Sequence, residues 1–160
     1  MHSRVFYLIG EKEKDFKKVY EEDLNERIGV ADYVIESDDL FDDWKWILNC
    51  YGTFMKGKKE DDFYTITIVF DELEKHFEEK TKRLKDLAAK VEKKSWEYLS
   101  NDMLIYHIQN LIDDNTGFYV VYQDSVDTFD TWLSVVYSDM LSKNLKEITF
   151  KVVETFDYHS

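Results

Sequence analysis

Apolar and polar positions change rhythm repeatedly along the chain, and each change marks a new element. Val5-Phe6-Tyr7-Leu8-Ile9 is a short apolar run closed by Gly10, the pattern of a buried strand. Over 11–28, Phe16, Val19, Tyr20, Leu24 and Ile28 recur at helical spacing and Gly29 supplies a stop, which predicts a helix. Tyr33-Val34-Ile35 predicts a short strand. Ser37 is placed to cap a helix over 38–55, whose Leu40, Phe41, Trp44, Ile47, Leu48 and Tyr51 form one broad apolar face.

Residues 56–62 are charged and predict an exposed loop, and the β-branched run within Phe63–Phe70 predicts a strand. Asp71 then opens a long helix near 71–99. Phe77, Leu84, Val91 and Tyr98 repeat there every seven positions, with Leu73 and Leu87 between them. Lys80 and Lys94 take the alternate places, so only half a coiled-coil seam is apolar. Ser100-Asn101-Asp102 restarts a helix to about 114, which Asn115-Thr116-Gly117 ends. Phe118 to Tyr122 predicts a buried strand. Asp127 or Thr128 caps a helix carrying Trp132, Leu133, Val136, Tyr137, Met140 and Leu141. Ile148, Phe150 and Val152 alternate with Thr149 and Lys151, giving a half-buried final strand. The expectation is a single globular α+β domain over 1–160, a mixed sheet of four to five short strands alternating with and covered by helices.

Composition agrees with one folded unit. The 160 residues are 44% hydrophobic and 16% aromatic, too rich for disorder, with no proline and only five scattered glycines to form a linker. A chain of this size buries roughly 70% of its unfolded surface without a disulfide or metal staple. One cysteine excludes an internal disulfide and a cysteine-based zinc site. The N-terminus lacks the features of a signal or transit peptide, and no apolar run reaches membrane-spanning length, so the expected location is cytoplasmic.

Sites for chemistry are scarce. The glycines never fall into the spacing of a dinucleotide or P-loop cradle, and there is no nucleophile elbow. Cys50 lies among aromatic neighbours on a helix and is expected as a small buried hydrophobe. His76 with Glu72 and Glu79 shares one helical face, but the di-iron Glu-x-x-His motif occurs once and reversed, so a solvated, ion-paired face is expected. His107 has no carboxylate one turn away, and His2 and His159 lie at the termini. Asp113-Asp114-Asn115-Thr116-Gly117 misses the calcium-loop glycine position. No catalytic residue, metal or cofactor is expected, and the protein is not expected to be an enzyme.

Charge is the informative signal. There are 34 acidic against 21 basic residues, a net charge of −13, which argues against direct nucleic-acid binding. The excess is uneven. Residues 21–43 carry Glu21, Glu22, Asp23, Glu26, Asp32, Glu36, Asp38, Asp39, Asp42 and Asp43 against the single base Arg27. Residues 101–142 carry Asp102, Asp113, Asp114, Asp124, Asp127, Asp130 and Asp139 and no lysine or arginine. Residues 71–94 instead balance seven acids with eight bases. Asp38 and Asp39 suit the first turn of their helix, as Asp127 and Asp130 do theirs. Asp42 and Asp43 fall beyond the expected first turn and repeat like charge at i+4, a small cost.

Carboxylates four apart on a helix rise about 6 Å and two apart on a strand about 6.6 Å, spacings that suit a groove expecting phosphates. Aromatics are interleaved, as in Phe41-Asp42-Asp43-Trp44, Asp61-Asp62-Phe63-Tyr64 and Phe129-Asp130-Thr131-Trp132. In size and composition the chain is similar to the DNA-mimic inhibitors that phages and mobile elements use against restriction or CRISPR nucleases. The likeness is one of class and transfers no site residues. It implies a non-catalytic acidic inhibitor of a basic nucleic-acid-binding protein or nuclease. The candidate contacts are Glu21, Glu22, Asp23, Glu26, Asp32, Glu36, Asp38, Asp39, Asp42, Asp43, Asp113, Asp114, Asp124, Asp127 and Asp130. The alternatives are an immunity or antitoxin-type protein that neutralises a basic toxin, and an assembly protein forming a homodimer through the 71–99 helix.

Overall fold

The computed structural model describes residues 2–28, 33–92 and 117–159. In chain order the elements are β1 (His2–Gly10), α1 (Glu21–Ile28), β2 (Tyr33–Glu36), α2 (Leu40–Tyr51), β3 (Met55–Lys59), β4 (Tyr64–Val69), α3 (Phe70–Glu92), β5 (Phe118–Tyr122), β6 (Ser125–Thr128), α4 (Phe129–Ser142) and β7 (Glu147–His159). The seven strands form one mixed sheet in the order β3-β4-β7-β1-β5-β6, with β2 also on β7. β1 and β5 are parallel and every other pairing is antiparallel. The α+β class is as expected, and the sheet is larger than expected. No helix among the described residues is long and apolar enough to cross a membrane.

Period-two alternation in β1 sends Phe6 and Leu8 to one face and Val5, Tyr7 and Ile9 to the other. The first face carries the main core, in which Ile66, Ile68, Val120, Phe150 and Val152 meet Trp44 and Ile47 of α2, Leu73 of α3, and Trp132, Leu133 and Met140 of α4. On the second, a smaller core joins Val121, Val34, Phe156 and Tyr158 to Leu24 of α1.

Four departures from the expected elements have physical causes. Residues 13–20 are irregular, and the helix is confined to α1. The carbonyls of Lys17 and Glu13 are taken by sheet side chains, the Tyr7 hydroxyl at 2.7 Å and the Lys151 Nζ at 3.1 Å, so this segment runs as a strap across the sheet. β3 replaces the expected loop, because a lysine-rich strand is suited to a solvent-exposed edge. Its Gly57 lies under α2: a Cβ there would fall 2.5 Å from Trp44 Cζ2 and strike Leu48. β6 follows β5 through a two-residue turn in which Gln123 and Asp124 both have positive φ, 48° and 64°. That is type I′ geometry without its usual glycine.

β7 extends well past Val152. Tyr7 pairs with Glu154 and Leu8 with Val152, leaving Val153 as a bulge. The extra residue reverses the alternation, so Phe150 and Val152 face the main core whereas Phe156 and Tyr158 face the smaller one. β4 and β2 then share one edge of β7, on either side of the bulge.

The end of the expected 71–99 helix beyond residue 92 and the whole of the expected helix to about 114, with Asp102, Asp113 and Asp114, lie outside the described residues, as does Asp32. In α3, Leu73 is fully buried and Phe77 packs edge-on against Tyr137, while Leu84 is exposed.

Candidate partner-binding surface

The acidic candidates sort by which face of the sheet their element reaches. α2 begins later than expected. Asp39, not Ser37, is its N-cap and accepts from the Asp42 backbone N–H at 3.0 Å, which places Asp42 and Asp43 in the first turn. Their negative charge therefore sits where the helix dipole favours it.

Asp43 corrects the sequence expectation outright. It is 4% exposed. One carboxylate oxygen accepts from Arg4 Nε at 2.6 Å, and the other accepts from the Thr155 hydroxyl at 2.8 Å. Arg4 also bonds Asp157 and lies over the Trp46 ring. These groups tie α2 to β1 and β7 across the main-core face, so Asp43 offers no charge to a partner. Asp130, too, is drawn inward, paired with Lys80 at 3.0 Å between α4 and α3. Asp127 accepts from the Ser125 hydroxyl at 2.7 Å. Asp38, Asp39 and Asp42 are exposed near the start of α2.

The strap face gathers the rest. Tyr7 points from β1 toward the strap and holds the Lys17 carbonyl. Beside it a cavity of about 170 Å³ is lined by Tyr7 and Val121 from the sheet, Phe16 from the strap, and the carboxylates of Glu13, Asp15, Asp23 and Asp124, with Lys17 and Lys18. Asp23 belongs to the first acidic stretch and Asp124 to the second, so folding brings the two stretches to one cavity. Burial pushes the Tyr7 phenol above its ordinary range, reinforced by the fields of Asp124, Glu13 and Glu154.

Glu154 continues the row. Its carboxyl is held above the usual range by burial first, then by the negative charge of Glu36 and a hydrogen bond with it, against a smaller opposing effect from Lys18. Glu36 in turn donates its backbone N–H to the Glu21 carboxylate at 2.9 Å. An acidic row therefore runs from Asp124 past Tyr7 to Glu154, Glu36 and Glu21, with Glu22 exposed beside it on α1. Glu26 belongs to the same helix, and its side chain lies outside what is described.

Glu13, Asp15 and Glu154 escape the sequence reading. Lysines alternate with Glu13 and Asp15 and cancel them in any local charge count. Glu154 joins the row only because the Val153 bulge turns it onto this face.

The interleaved aromatics prove mostly structural. Trp44, Phe129 and Trp132 are core, and Phe41 stacks on Trp44 and Tyr64. Phe63, beside Asp61 and Asp62, is exposed at 36%, and on the strap side Phe16 and Tyr20 are exposed at 51% and 55%.

At the β3 edge of the sheet Lys56 pairs with Glu147 at 3.6 Å and Lys58 with Glu60 at 2.7 Å, while Lys17 and Lys18 stand at the strap cavity itself. Cys50, expected to be buried, is on the exposed side of α2, and partial burial raises its thiol pKa, the wrong direction for a nucleophile. Among the described residues no group of three or more His, Cys, Asp or Glu side chains could hold a metal ion. No protein-family model, curated protein or solved structure matches this chain.

Proposed function

We propose that the protein is a non-catalytic inhibitor that offers the acidic row of the strap face to the basic groove of a nucleic-acid-binding protein or nuclease, in the manner of a DNA mimic. The observation that carries this reading is the convergence of Asp23 from the first acidic stretch and Asp124 from the second on one cavity, so that folding concentrates charge the chain keeps far apart. A surface serving only solubility disperses its charge. A surface built for a cationic partner concentrates it, and recovers the repulsion when the partner binds.

The test uses the purified full chain as bait in low-salt bacterial lysate, with a salt gradient and added DNA or RNA as competitor. A retained nucleic-acid-binding protein, displaced by nucleic acid, supports mimicry. Neutralising Glu21, Glu36 and Asp124 together to Gln, Gln and Asn should shift its elution to lower salt. Unchanged elution of that triple variant refutes the role of the row.

Phe16 and Tyr20 favour a second reading, an immunity-type protein recognising one basic toxin. Exposed aromatics beside charge are the usual composition of interface hot spots. Under that reading Tyr20→Ala alone costs roughly 2 kcal/mol of binding, about thirtyfold, whereas a mimic loses affinity gradually with each charge removed.

A further inference from the structure

We infer that the cavity beside Phe16 seats an arginine side chain of the basic partner, an inference that rests on the partner-binding reading and states where contact is made. Its volume of about 170 Å³ is below the roughly 300–1,000 Å³ of sites that enclose nucleotides or drug-sized ligands, so it admits one side chain. The floor is apolar where Val121 and the Tyr7 ring meet it, and the Tyr7 hydroxyl is already committed to the Lys17 carbonyl. Phe16 forms the lip. Its ring lies edge-on to Tyr7 with centroids 6.1 Å apart and remains half exposed, so one aromatic surface is open to a ligand. Around this floor the rim has more carboxylates than amines.

Arginine matches each of these features. Its methylene stem covers apolar wall, its flat guanidinium stacks on an aromatic face, and its forked N–H groups bond carboxylates in pairs. A lysine ammonium is compact and strongly hydrated, with no plane to stack, and gains less from the same walls. Anions are repelled by the rim.

The experiment titrates the isotope-labelled full chain with N-acetyl-arginine methylamide and, separately, with its lysine counterpart, following backbone amide shifts. Saturable shifts are expected at Tyr7, Phe16 and Val121, with a dissociation constant on the order of millimolar and at least about threefold preference for arginine. Asp23→Asn and Phe16→Leu should each weaken arginine binding about threefold or more. Phe16 is half exposed, and Phe16→Leu keeps an apolar lip while removing the ring, so folding is preserved.

Equal binding of both compounds overturns the inference in favour of general attraction between charges. Absence of shifts at the cavity overturns it directly. If Phe16→Leu abolishes arginine binding but leaves lysate capture at wild-type salt, partner binding stands and this seat is wrong. If arginine binds the cavity but no basic protein is retained, the partner-binding reading falls and the seat falls as a partner contact.

Discussion

Removing the Asp43 carboxylate tests whether a candidate contact is in fact a structural joint. In Asp43→Ala the Thr155 hydroxyl, itself in a residue 1% exposed, loses its acceptor, and Arg4 loses one of two anionic partners. An orphaned buried hydroxyl costs about 1–3 kcal/mol. Breaking a fully buried ion pair costs about 3–5 kcal/mol. Arg4 keeps Asp157 and its side chain is 20% exposed, which reduces the second contribution to roughly 1–2 kcal/mol. The expected loss is about 3 kcal/mol. With a urea slope near 2 kcal/mol/M this lowers the unfolding midpoint by about 1.5 M. Asp43→Asn keeps one acceptor and should lose roughly half as much. Asp42→Ala, one residue away and exposed, should cost no more than about 0.5–1 kcal/mol through weaker dipole compensation. Urea titrations of the three variants, read by tryptophan fluorescence, decide the matter. Equal midpoints for Asp42→Ala and Asp43→Ala would falsify the claim that this triad fastens α2 to the sheet.

Three further outcomes are expected. Gly57→Ala places a methyl group against Trp44, whose indole N–H is fixed on the Thr65 carbonyl at 3.0 Å, so thermal melting should report a loss of about 1–3 kcal/mol; an unchanged melt would show that α2 yields freely. Gln123→Gly relieves a positive φ costing about 1–2 kcal/mol, partly offset by chain entropy, and should stabilise by about 0.5 kcal/mol; destabilisation would mean the Gln123–Tyr122 hydrogen bond outweighs the strain. The raised pKa of Glu154 means the folded chain holds that proton more tightly than the unfolded one. Its contribution is thus full below the ordinary carboxylate pKa and is lost as pH rises through the raised value. Glu154→Gln should flatten the fall in unfolding midpoint across that window, and an unaltered slope would show that the folded chain does not hold the Glu154 proton more tightly than the unfolded one.

Local pattern carried much of the architecture. The apolar run of β1, the β-branched run of β4, the 3.6-residue faces of α2 and α4, and the first part of β7 were legible because their residues bury against a neighbour on one face with a fixed period. The overall acidity and the two anionic stretches are properties of composition, independent of fold. Neither β3 nor β6 was legible, since both are short polar edge strands whose signal is pairing and not periodicity. The second half of β7 was hidden by the Val153 bulge, which breaks alternation where the sheet switches cores.

The tertiary structure alone decided which acids stand together. Asp43 and Asp42 are adjacent and alike in sequence, yet one is buried because Arg4, 39 residues away, and Thr155, 112 residues away, converge on it. Asp23 and Asp124 meet at one cavity because α1 crosses the face on which the β5–β6 turn opens, and Glu154 meets Glu36 because a bulged strand pairs with β2. Electrostatic neighbours are set by distance through space, and a linear chain records that distance only where periodicity or a short turn encodes it.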